Sequence, residues 1–484
     1  MMTVETTNET TNETTNETTN ETTNETTNET TNETTNETTD IHSILNEEDE
    51  ESLIETIGIL IENIVSDDPL IYNNPDYRET IIESVMELLE IQFADQYESD
   101  IFEEFHILGR EALKIFHKHI WPKRSFKTTF IRKEPNVDKM TKKINILKNK
   151  PQPEQKSKEW YEFRHERLTA SSVWKAFSSE ATKNQLIYDK CKPFDIEKFS
   201  NVSTETTLHW GNKYEPLSIM FYEKQYNTKV NDYGCIVHDK YPFLAASPDG
   251  INECFNSKRY GRMLEIKNIV NREINGVPKF EYWIQMQIQM EVCNLNECDF
   301  LETRFTEYNT RDDFEKDGTF ERTETNDLKG IIMYFINDKK PLYEYAPLEI
   351  SEDEFEQWQD ETMKKHKTLT WLKNIYWKLD EVSCVLVLRN KKWFQAAIPI
   401  IENVWKTIEK EKQEGFEHRA PKKKERKTIK NENEQTGKCF IDVSKLLDNN
   451  NSDNYNYNNN LQNELDIIID NNINKENIEI IFIK

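Results

Sequence analysis

Acidic and basic side chains that could process a phosphate ester follow one another along a short part of the chain. Asp249 lies in Ser-Pro-Asp-Gly, and Glu265 and Lys267 follow in Leu-Glu-Ile-Lys. Carboxylate oxygens are the ligands that Mg²⁺ prefers, and a lysine beside them can orient or deprotonate a water and offset the charge that develops at phosphorus. These three residues therefore predict a metal site suited to phosphodiester hydrolysis.

The elements around these residues are predicted to bring them together. Glu265 and Lys267 lie two apart in a segment rich in β-forming side chains, and residues at that spacing point to one face of a strand. Asp249 stands just before a glycine where a strand pauses, and a predicted helix from Glu215 to Tyr226 closes the site. Taken alone, Glu265 with Lys267 is also typical of a surface charge pair on a strand edge. The fixed order of all the motifs favours a site.

The order of motifs between about Lys156 and Phe305 resembles the YqaJ family of phage and viral recombinase nucleases, which is related to lambda exonuclease within the PD-(D/E)xK superfamily. The motifs that carry this resemblance are Trp160-Tyr-Glu-Phe-Arg164, Leu168-Thr-Ala-Ser171, Trp210-Gly-Asn-Lys-Tyr-Glu215-Pro, Ser-Pro-Asp249-Gly, Glu265-Ile-Lys267 and Tyr282-Trp-Ile-Gln285-Met-Gln287. The segment Asn390 to Pro399 looks like an extension found in members from large DNA viruses. One departure is Asn268-Ile269, where many relatives have Cys-Pro, and it is expected to change the exit from the strand.

The resemblance implies roles for the matched residues. The residues implied to bind the terminal 5′-phosphate of DNA are Arg164 and Ser171. The implied metal ligands are Asp249, Glu265, the backbone carbonyl of Ile266 and Glu215, the last as a ligand or as its support. The residues implied to position water or the scissile phosphate are Lys267 and Gln285. An arginine suits a terminal phosphate because its planar fork donates two parallel hydrogen bonds. A pocket for that phosphate implies an enzyme that begins at a DNA end.

The activity implied by the resemblance is that of a Mg²⁺-dependent DNA exonuclease, with Mn²⁺ as a substitute ion, that degrades one strand of double-stranded DNA from its 5′ end during viral recombination or repair. The implied partners are DNA ends, a single-strand annealing protein and further copies of the chain in a ring. Two alternatives stay open. One is a structure- or sequence-specific endonuclease of the same fold, and the other is a catalytically inactive nucleic-acid-binding or virion protein.

The predicted fold class is α/β, with an α+β restriction-endonuclease-like core in which helices flank a mixed central sheet. Helical extensions are predicted on both sides, with a helical reading of residues 351–413. The predicted divisions are a disordered Thr-Thr-Asn-Glu repeat (1–40), an acidic helical region with a basic connector (41–150), the nuclease domain (151–350), a C-terminal helical extension with a basic segment (351–430), and an Asn-rich disordered tail (431–484).

The net charge of -27 is unusual for a protein that binds a polyanion, and its distribution resolves the difficulty. Residues 1–100 hold 27 acidic side chains and one basic side chain, Arg78, so the rest of the chain is nearly balanced. Residues 110–150 hold 13 Lys or Arg against 3 acidic side chains. This run is a candidate phosphate-contacting surface, and a solvated face is the plainer reading.

Several other features favour plain structural roles. His209 and His238 are interpreted as packing residues. The C-terminal tryptophans at 358, 371, 377, 393 and 405 are expected mainly in the core, with base stacking as the alternative. The segment Pro421 to Lys427 is a nuclear-import signal, a phosphate-binding tail or a charged linker. The 7 cysteines show no zinc spacing, and no long apolar run is present, which predicts an intracellular protein without a membrane span. Host cytoplasm or viral factory, nucleus and virion are not distinguished.

Overall fold

The computed structural model describes residues 45–93, 101–127, 134–195, 206–337 and 340–421. The predicted repeat (1–40), the predicted tail (431–484) and all but the first residue of the basic segment 421–427 lie outside these ranges. The α-helices in the described ranges are α1 (Glu47–Asp67), α2 (Tyr77–Phe93), α3 (Ile101–His119), α4 (Val137–Lys148), α5 (Lys158–His165), α6 (Ala170–Val173), α7 (Glu180–Cys191), α8 (Thr207–Tyr226), α9 (Phe280–Cys293), α10 (Arg311–Lys316), α11 (Glu352–Lys365) and α12 (Lys391–Glu414).

The strands form two sheets. They are β1 (Phe126–Lys127), β2 (Leu168–Thr169), β3 (Val230–Asn231), β4 (Ile236–Val237), β5 (Leu244–Ala246), β6 (Gly250–Asn252), β7 (Met263–Asn268), β8 (Glu297–Glu307), β9 (Lys329–Asn337), β10 (Lys340–Tyr345) and β11 (Thr370–Leu388). The large sheet has the order β10-β9-β11-β8-β7-β6-β3, with β1 paired to β11, and the small sheet has the order β2-β5-β4. Strands β7 and β8 pair in parallel, whereas their neighbours pair antiparallel. The predicted mixed sheet flanked by helices is confirmed.

Strand β7 lies inside the large sheet, between β6 and β8. Its first four residues are buried, so its side chains face packed surroundings on both sides of the sheet. In the parallel pairing Glu265 lies opposite Phe300, and Lys267 lies opposite Glu302. A buried central strand of this kind gives a rigid support to any side chain at its end.

The helical reading of residues 351–413 is wrong over Thr370–Leu388, which form the 19-residue strand β11. Its residues alternate in burial around Ile375, Trp377 and Leu379, the period of a strand with one face in the core. One part of β11 pairs with β9 and the other with β8, so it belongs to the centre of the large sheet. True helices flank this strand at α11 and α12, and the domain limits themselves stay a prediction.

The N-terminal helices predicted from apolar spacing are found as α1, α2 and α3, and they pack into the same hydrophobic core as α9 and α12. Tyr72 stacks on Trp283 of α9, with ring centres 6.1 Å apart. The buried Arg124 donates to the carbonyl of Asn74 at 2.7 Å and lies over the ring of Trp283. These contacts fasten the helical region against the helix that carries Gln285.

The residues assigned plain roles divide as follows. Trp377 and Trp393 are buried, whereas Trp371 is 44% exposed, so the core reading holds for part of the tryptophan set. His209 is buried and its Nε2 lies 2.7 Å from the hydroxyl of Tyr343, which confirms a packing role. His238 accepts the N–H groups of the turn that follows it. None of the helices in the described ranges combines the length and apolar character that crossing a membrane requires.

Candidate functional site

Strand β7 brings Glu265 and Lys267 together at one face, as their spacing predicted. The carboxylate of Glu265 is fully buried, and the ammonium of Lys267 pairs with its Oε1. Burial alone would lower the pKa of Lys267, but the negative charges of Glu265 and then Asp249 raise it above the ordinary value. Lys267 is therefore a charged hydrogen-bond donor to Glu265 in this structure.

Asp249 reaches the same place from the residue just before β6. Its Oδ2 accepts the backbone N–H of Ile266 at 2.7 Å, so the carboxylate leans on β7 between Glu265 and Lys267. The next residue must be glycine, because a Cβ at Gly250 would lie 2.1 Å from a methyl of Val230. Ser-Pro-Asp-Gly therefore combines a carboxylate with the close strand approach that aims it.

The two carboxylates repel each other. Burial, and after it the negative charge of Glu265, raise the pKa of Asp249 well above its ordinary value, although Lys267 and the N–H of Ile266 lower it. Glu215 adds to the rise. This uncompensated negative charge, carried by hard oxygen donors, fits a divalent cation such as Mg²⁺. Within the described ranges no three His, Cys, Asp or Glu side chains form a group that could hold a metal ion.

Two glutamines of α9 hold Glu265 in place. Gln285 donates to Oε1 and Gln289 donates to Oε2, each at 2.7 Å. The sequence reading assigned Gln285 but missed Gln289, whose spacing of four residues, about one helical turn, would have placed it on the same face. Gln287 faces elsewhere: it donates to the carbonyl of Leu388 and accepts the N–H of Asn390, where α12 begins.

Glu215 lies on α8 (Thr207–Tyr226), which is longer than predicted, and it lines the same cavity. Its Oε2 lies 3.8 Å from the ammonium of Lys156. Burial raises the pKa of Glu215, Lys156 opposes the rise, and Glu265 adds to it. The following Pro216 has no N–H, so it gives no helical hydrogen bond to the carbonyl of Asn212, which also lines the cavity.

Arg164 and Ser171 lie together on the other side of the cavity. The guanidinium donates to the hydroxyl of Ser171 at 3.0 Å and to that of Ser247 at 3.3 Å, and it stacks over Trp160 at 4.2 Å. Trp160 also donates to Ser247, at 3.0 Å. Ser247 stood in the quoted Ser-Pro-Asp-Gly motif without a role, and it is the residue that joins the arginine side to the Asp249 side.

One cavity of about 520 Å³ is lined by every residue that the sequence predicts for the site. Those lining it are Arg164, Ser171, Glu215, Asp249, Glu265, Ile266, Lys267 and Gln285. Tyr282 also lines it, with its ring centre 5.0 Å from the ammonium of Lys267. The cavity is therefore acidic around Asp249 and Glu265 and cationic around Arg164.

The departure at Asn268 has a structural function. Its side-chain amide donates to the carbonyl of Gly211 at 2.9 Å, and its oxygen accepts from Ser218 and Thr303, each at 2.7 Å. Asn268 thereby ties the end of β7 to α8, which carries Glu215, and to β8. Asn268 therefore holds neighbouring elements together, and the difference from relatives with Cys-Pro leaves the predicted metal ligands unchanged.

Fold and site together give an α/β protein in which Asp249 and the Glu265-Ile-Lys267 motif line one cavity. Residues 159–296 match the model of the YqaJ-like viral recombinase domain family. This match confirms the resemblance that the motifs indicated.

The chain is also similar to one curated viral protein and to solved structures of one bacterial exonuclease. Uncharacterized protein R354 of Acanthamoeba polyphaga mimivirus is 34% identical over 334 residues, 60% of this chain and 58% of the relative. The chain thus spans little more than half the length of this curated relative. An alkaline exonuclease from Laribacter hongkongensis, LHK-Exo, aligns over 53% of this chain and 95% of its own, with 17% identity and a TM-score of 0.30. The structure of LHK-Exo in complex with dAMP aligns over the same fractions of the two chains, with 18% identity and a TM-score of 0.31. Likeness at this level says nothing about activity here.

Proposed function

We propose that the chain is a metal-dependent DNA exonuclease that removes nucleotides from the 5′ end of one strand of double-stranded DNA. The observation that carries the proposal is the meeting, in one cavity, of the Asp249, Glu265 and Lys267 cluster with the Arg164 and Ser171 pair. The first set suits hydrolysis of a phosphodiester, and the second suits a terminal phosphate. The match to a viral recombinase domain supports a role in viral recombination or repair.

The acidic side of the cavity would hold the ion. Asp249, Glu265 and the carbonyl of Ile266 are the proposed ligands of Mg²⁺, with Mn²⁺ as a substitute and Glu215 as support. When bound, such an ion lowers the pKa of a water and stabilises charge that develops at phosphorus. Gln285 and Gln289 each donate to one oxygen of Glu265, which restricts the rotamer of that carboxylate.

Lys267 acts as a cation and hydrogen-bond donor in this proposal. Its raised pKa keeps it protonated, so it orients an incoming water or a phosphate oxygen and offsets negative charge there. Its contact with the ring of Tyr282 limits where the ammonium can go.

Arg164 makes the proposed activity depend on a DNA end. Its two terminal nitrogens donate to the hydroxyls of Ser171 and Ser247. The oxygens of a bound phosphate would replace these hydroxyls as acceptors or accept beside them. A terminal phosphate carries more negative charge than an internal diester and offers more free oxygens. Binding at Arg164 therefore favours a 5′-phosphorylated end over a position inside the duplex.

The test is digestion of linear duplex DNA labelled at either end, with and without a 5′-phosphate, in Mg²⁺ or EDTA. The expected result is Mg²⁺-dependent release from the 5′ end, faster with the phosphate, and no cutting of a covalently closed circle. Lys267→Ala is expected to abolish digestion while keeping the circular-dichroism spectrum and melting curve. Cutting of the closed circle would identify an endonuclease, and digestion by Lys267→Ala would show that the roles are wrongly assigned.

The proposed partners follow from the same activity. A 5′ exonuclease leaves a single strand, which a single-strand annealing protein would take up, and a ring of several copies would hold that strand during digestion. Light scattering of the purified chain with and without a linear duplex measures the number of copies. A monomer that digests long duplexes processively would exclude the ring.

A further inference from the structure

A second cavity lies away from the candidate active site, between α2 and α3. It has a volume of about 610 Å³, within the range of roughly 300–1,000 Å³ that is common for small-ligand sites. It shares no lining residue with the active-site cavity. We name it the helical groove, and its lining includes Arg78, Ile82, Arg110, Leu113, Lys114 and Lys118.

The helical groove carries a row of cations. Arg110, Lys114 and Lys118 follow one another at intervals of four residues on α3, so they lie along one face of that helix. Arg78 from α2 and Lys123 from the following segment complete the set, against the two acids Glu79 and Glu83. Among the described residues, none of these five cations forms an ion pair with a carboxylate. Burial lowers the pKa of Lys123, and the charges of Arg78 and Lys127 lower it further, as expected where cations face one another.

Beneath the cations the helical groove is apolar. Ile82, Leu113 and Phe126 line it and are buried. A row of cations on a solvated helix face needs no such floor, whereas a ligand with both phosphates and flat rings matches the two together. The ammonium of Lys123 lies 5.1 Å from the ring centre of Phe126, which places charge and ring side by side.

His117 supplies a hydrogen-bond acceptor in the same lining. It is 7% exposed, and its Nδ1 lies 3.0 Å from the carbonyl of Trp121. Because a carbonyl only accepts, Nδ1 carries the hydrogen, which leaves Nε2 as an acceptor. This buried Nε2 has no partner among the described residues. Burial lowers the pKa of His117 to about 4, so the ring is neutral near pH 7. An N–H group of a nucleobase would satisfy it.

The wall of the helical groove is joined to the active-site cavity by packed side chains. Ser125, between Lys123 and Phe126, donates at 2.8 Å to the carbonyl of Gly276, in the segment that leads into α9. On the other side Arg124 donates to the carbonyl of Tyr72 at 3.0 Å, and Tyr72 stacks on Trp283. Trp283 is the chain neighbour of Tyr282, which lines the active-site cavity.

We propose that the helical groove binds single-stranded DNA, with phosphates along Arg110, Lys114 and Lys118 and a base on the floor beside His117. Single strands expose the base, whereas a duplex keeps it stacked inside the helix. The position of the groove stands on its own geometry, and the choice of DNA as the ligand rests on the function proposed above. The groove then holds a strand of the substrate outside the catalytic cavity.

The experiment measures fluorescence anisotropy of a labelled oligothymidylate with the full chain in EDTA, over a series of salt concentrations. The groove variant carries Arg110→Ala, Lys114→Ala and Lys118→Ala. The matched control carries Lys364→Ala, Lys367→Ala and Lys373→Ala, three exposed cations outside the groove and outside the basic run 110–150. The groove variant is expected to bind roughly tenfold more weakly, with a salt slope smaller by about 2, because each phosphate contact on a single strand contributes about 0.7 to that slope. The control is expected to match the wild type.

A second arm uses only the wild type and an abasic strand of the same length, which is expected to bind more weakly than oligothymidylate. Equal binding by the groove and control variants would overturn the proposal, and so would equal binding of the abasic strand. Groove-dependent binding of a Glu-Thr-Thr-Asn repeat peptide in place of the strand would also overturn it. If the strand binds in the groove but the wild type digests no duplex, the proposed function fails alone; if digestion occurs and the variants bind alike, the groove assignment fails alone.

Discussion

Two buried acidic clusters lie on the paired strands β7 and β8, and they are compensated very differently. At the start of β8, Asp299 is fully buried but pairs with Arg259 and Arg262 and accepts the hydroxyl of Tyr222 at 2.5 Å. Along β7, Glu265 is equally buried and pairs with the ammonium of Lys267, while a second carboxylate, Asp249, accepts the N–H of the intervening Ile266.

This difference in charge compensation identifies the Asp299 cluster as structural. Two arginines around one carboxylate leave no negative charge to attract a ligand. Burial lowers the pKa of Arg259, but the charge of Asp299, together with smaller contributions led by Tyr222, raises it above its ordinary value. The Asp249 and Glu265 pair brings two acidic groups together with only Lys267 to offset them, and burial, followed by the charge of Glu265, raises the pKa of Asp249. Such unfavourable charge is typical of functional sites, where a ligand supplies the missing partner.

The largest expected effect comes from Asp249→Asn. The amide keeps an oxygen for the N–H of Ile266 but removes one of the two like charges, so we expect digestion to fall by about 10³-fold while stability in EDTA is unchanged or raised. Initial rates on a 5′-phosphorylated duplex and urea unfolding in EDTA measure the two quantities. A marked loss of stability would show that the pair is a structural cluster like that of Asp299.

Asp299→Asn is expected to give the opposite result. It leaves Arg259 and Arg262 buried without their carboxylate, which should cost about 3–5 kcal/mol of unfolding free energy. The activity of each folded molecule should stay near that of the wild type, because the cluster does not reach the cavity. Urea unfolding, with rates corrected for the folded fraction, checks this. Full activity loss at full stability would remove the distinction between the clusters.

Gln289→Leu sharpens the comparison on the functional side. It removes the donor to Oε2 of Glu265, and loss of such a support typically lowers metal affinity or activity by about 10–100-fold. We expect kcat to fall, the Mg²⁺ concentration for half-maximal rate to rise, and KM for DNA to stay constant. Gln287→Leu is the matched control on the other face of α9, with stability as its main change. Equal effects of the two variants on the Mg²⁺ dependence would refute a positioning role for Gln289.

The smallest expected effect concerns a buried cation that supports Arg164. Lys190 donates to the carbonyl of Arg164 at 2.7 Å, and burial, followed by the charges of Arg164 and Lys412, lowers its pKa to about 7. Asp189 and Cys235 oppose this shift only weakly. Between that pH and about 10.4 the unfolded chain binds more protons than the folded one, so this group makes stability rise with pH.

Lys190→Met should therefore flatten the rise in unfolding free energy between about pH 7 and 10. Urea unfolding at a series of pH values for the wild type and the variant measures the slope. The nearby Lys192→Met serves as the control. Parallel pH profiles for wild type and Lys190→Met would contradict the buried charge at this position.

Much of the site was predictable because its chemistry lies in short motifs. The spacing of Glu265 and Lys267 on a strand fixes their common face, and the glycine after Asp249 allows the approach of its carboxylate. Gln289 and Ser247 were missed, although the first has helical spacing from Gln285 and the second lies within a quoted motif. Their roles depend on which face of α9 meets β7 and on how α5 lies over the sheet, which are tertiary facts.

The fold was predictable in its class and less so in its parts. The helical prediction for residues 351–413 is wrong over residues 370–388, where the burial of Ile375, Trp377 and Leu379 alternates with the period of a strand. The packing of the N-terminal helices against α9 depends on contacts such as Tyr72 with Trp283, which join residues far apart in the chain. No local pattern encodes such a pairing.

Binding of a divalent cation by the nucleic-acid-free chain tests the central claim most directly. Calorimetric titration with Mg²⁺, and electron paramagnetic resonance with Mn²⁺, should reveal a site in the wild type and in Asp299→Asn that is lost in Asp249→Asn. Equal binding by the wild type and Asp249→Asn, or no binding by either, would contradict the account that Asp249 and Glu265 share one ion.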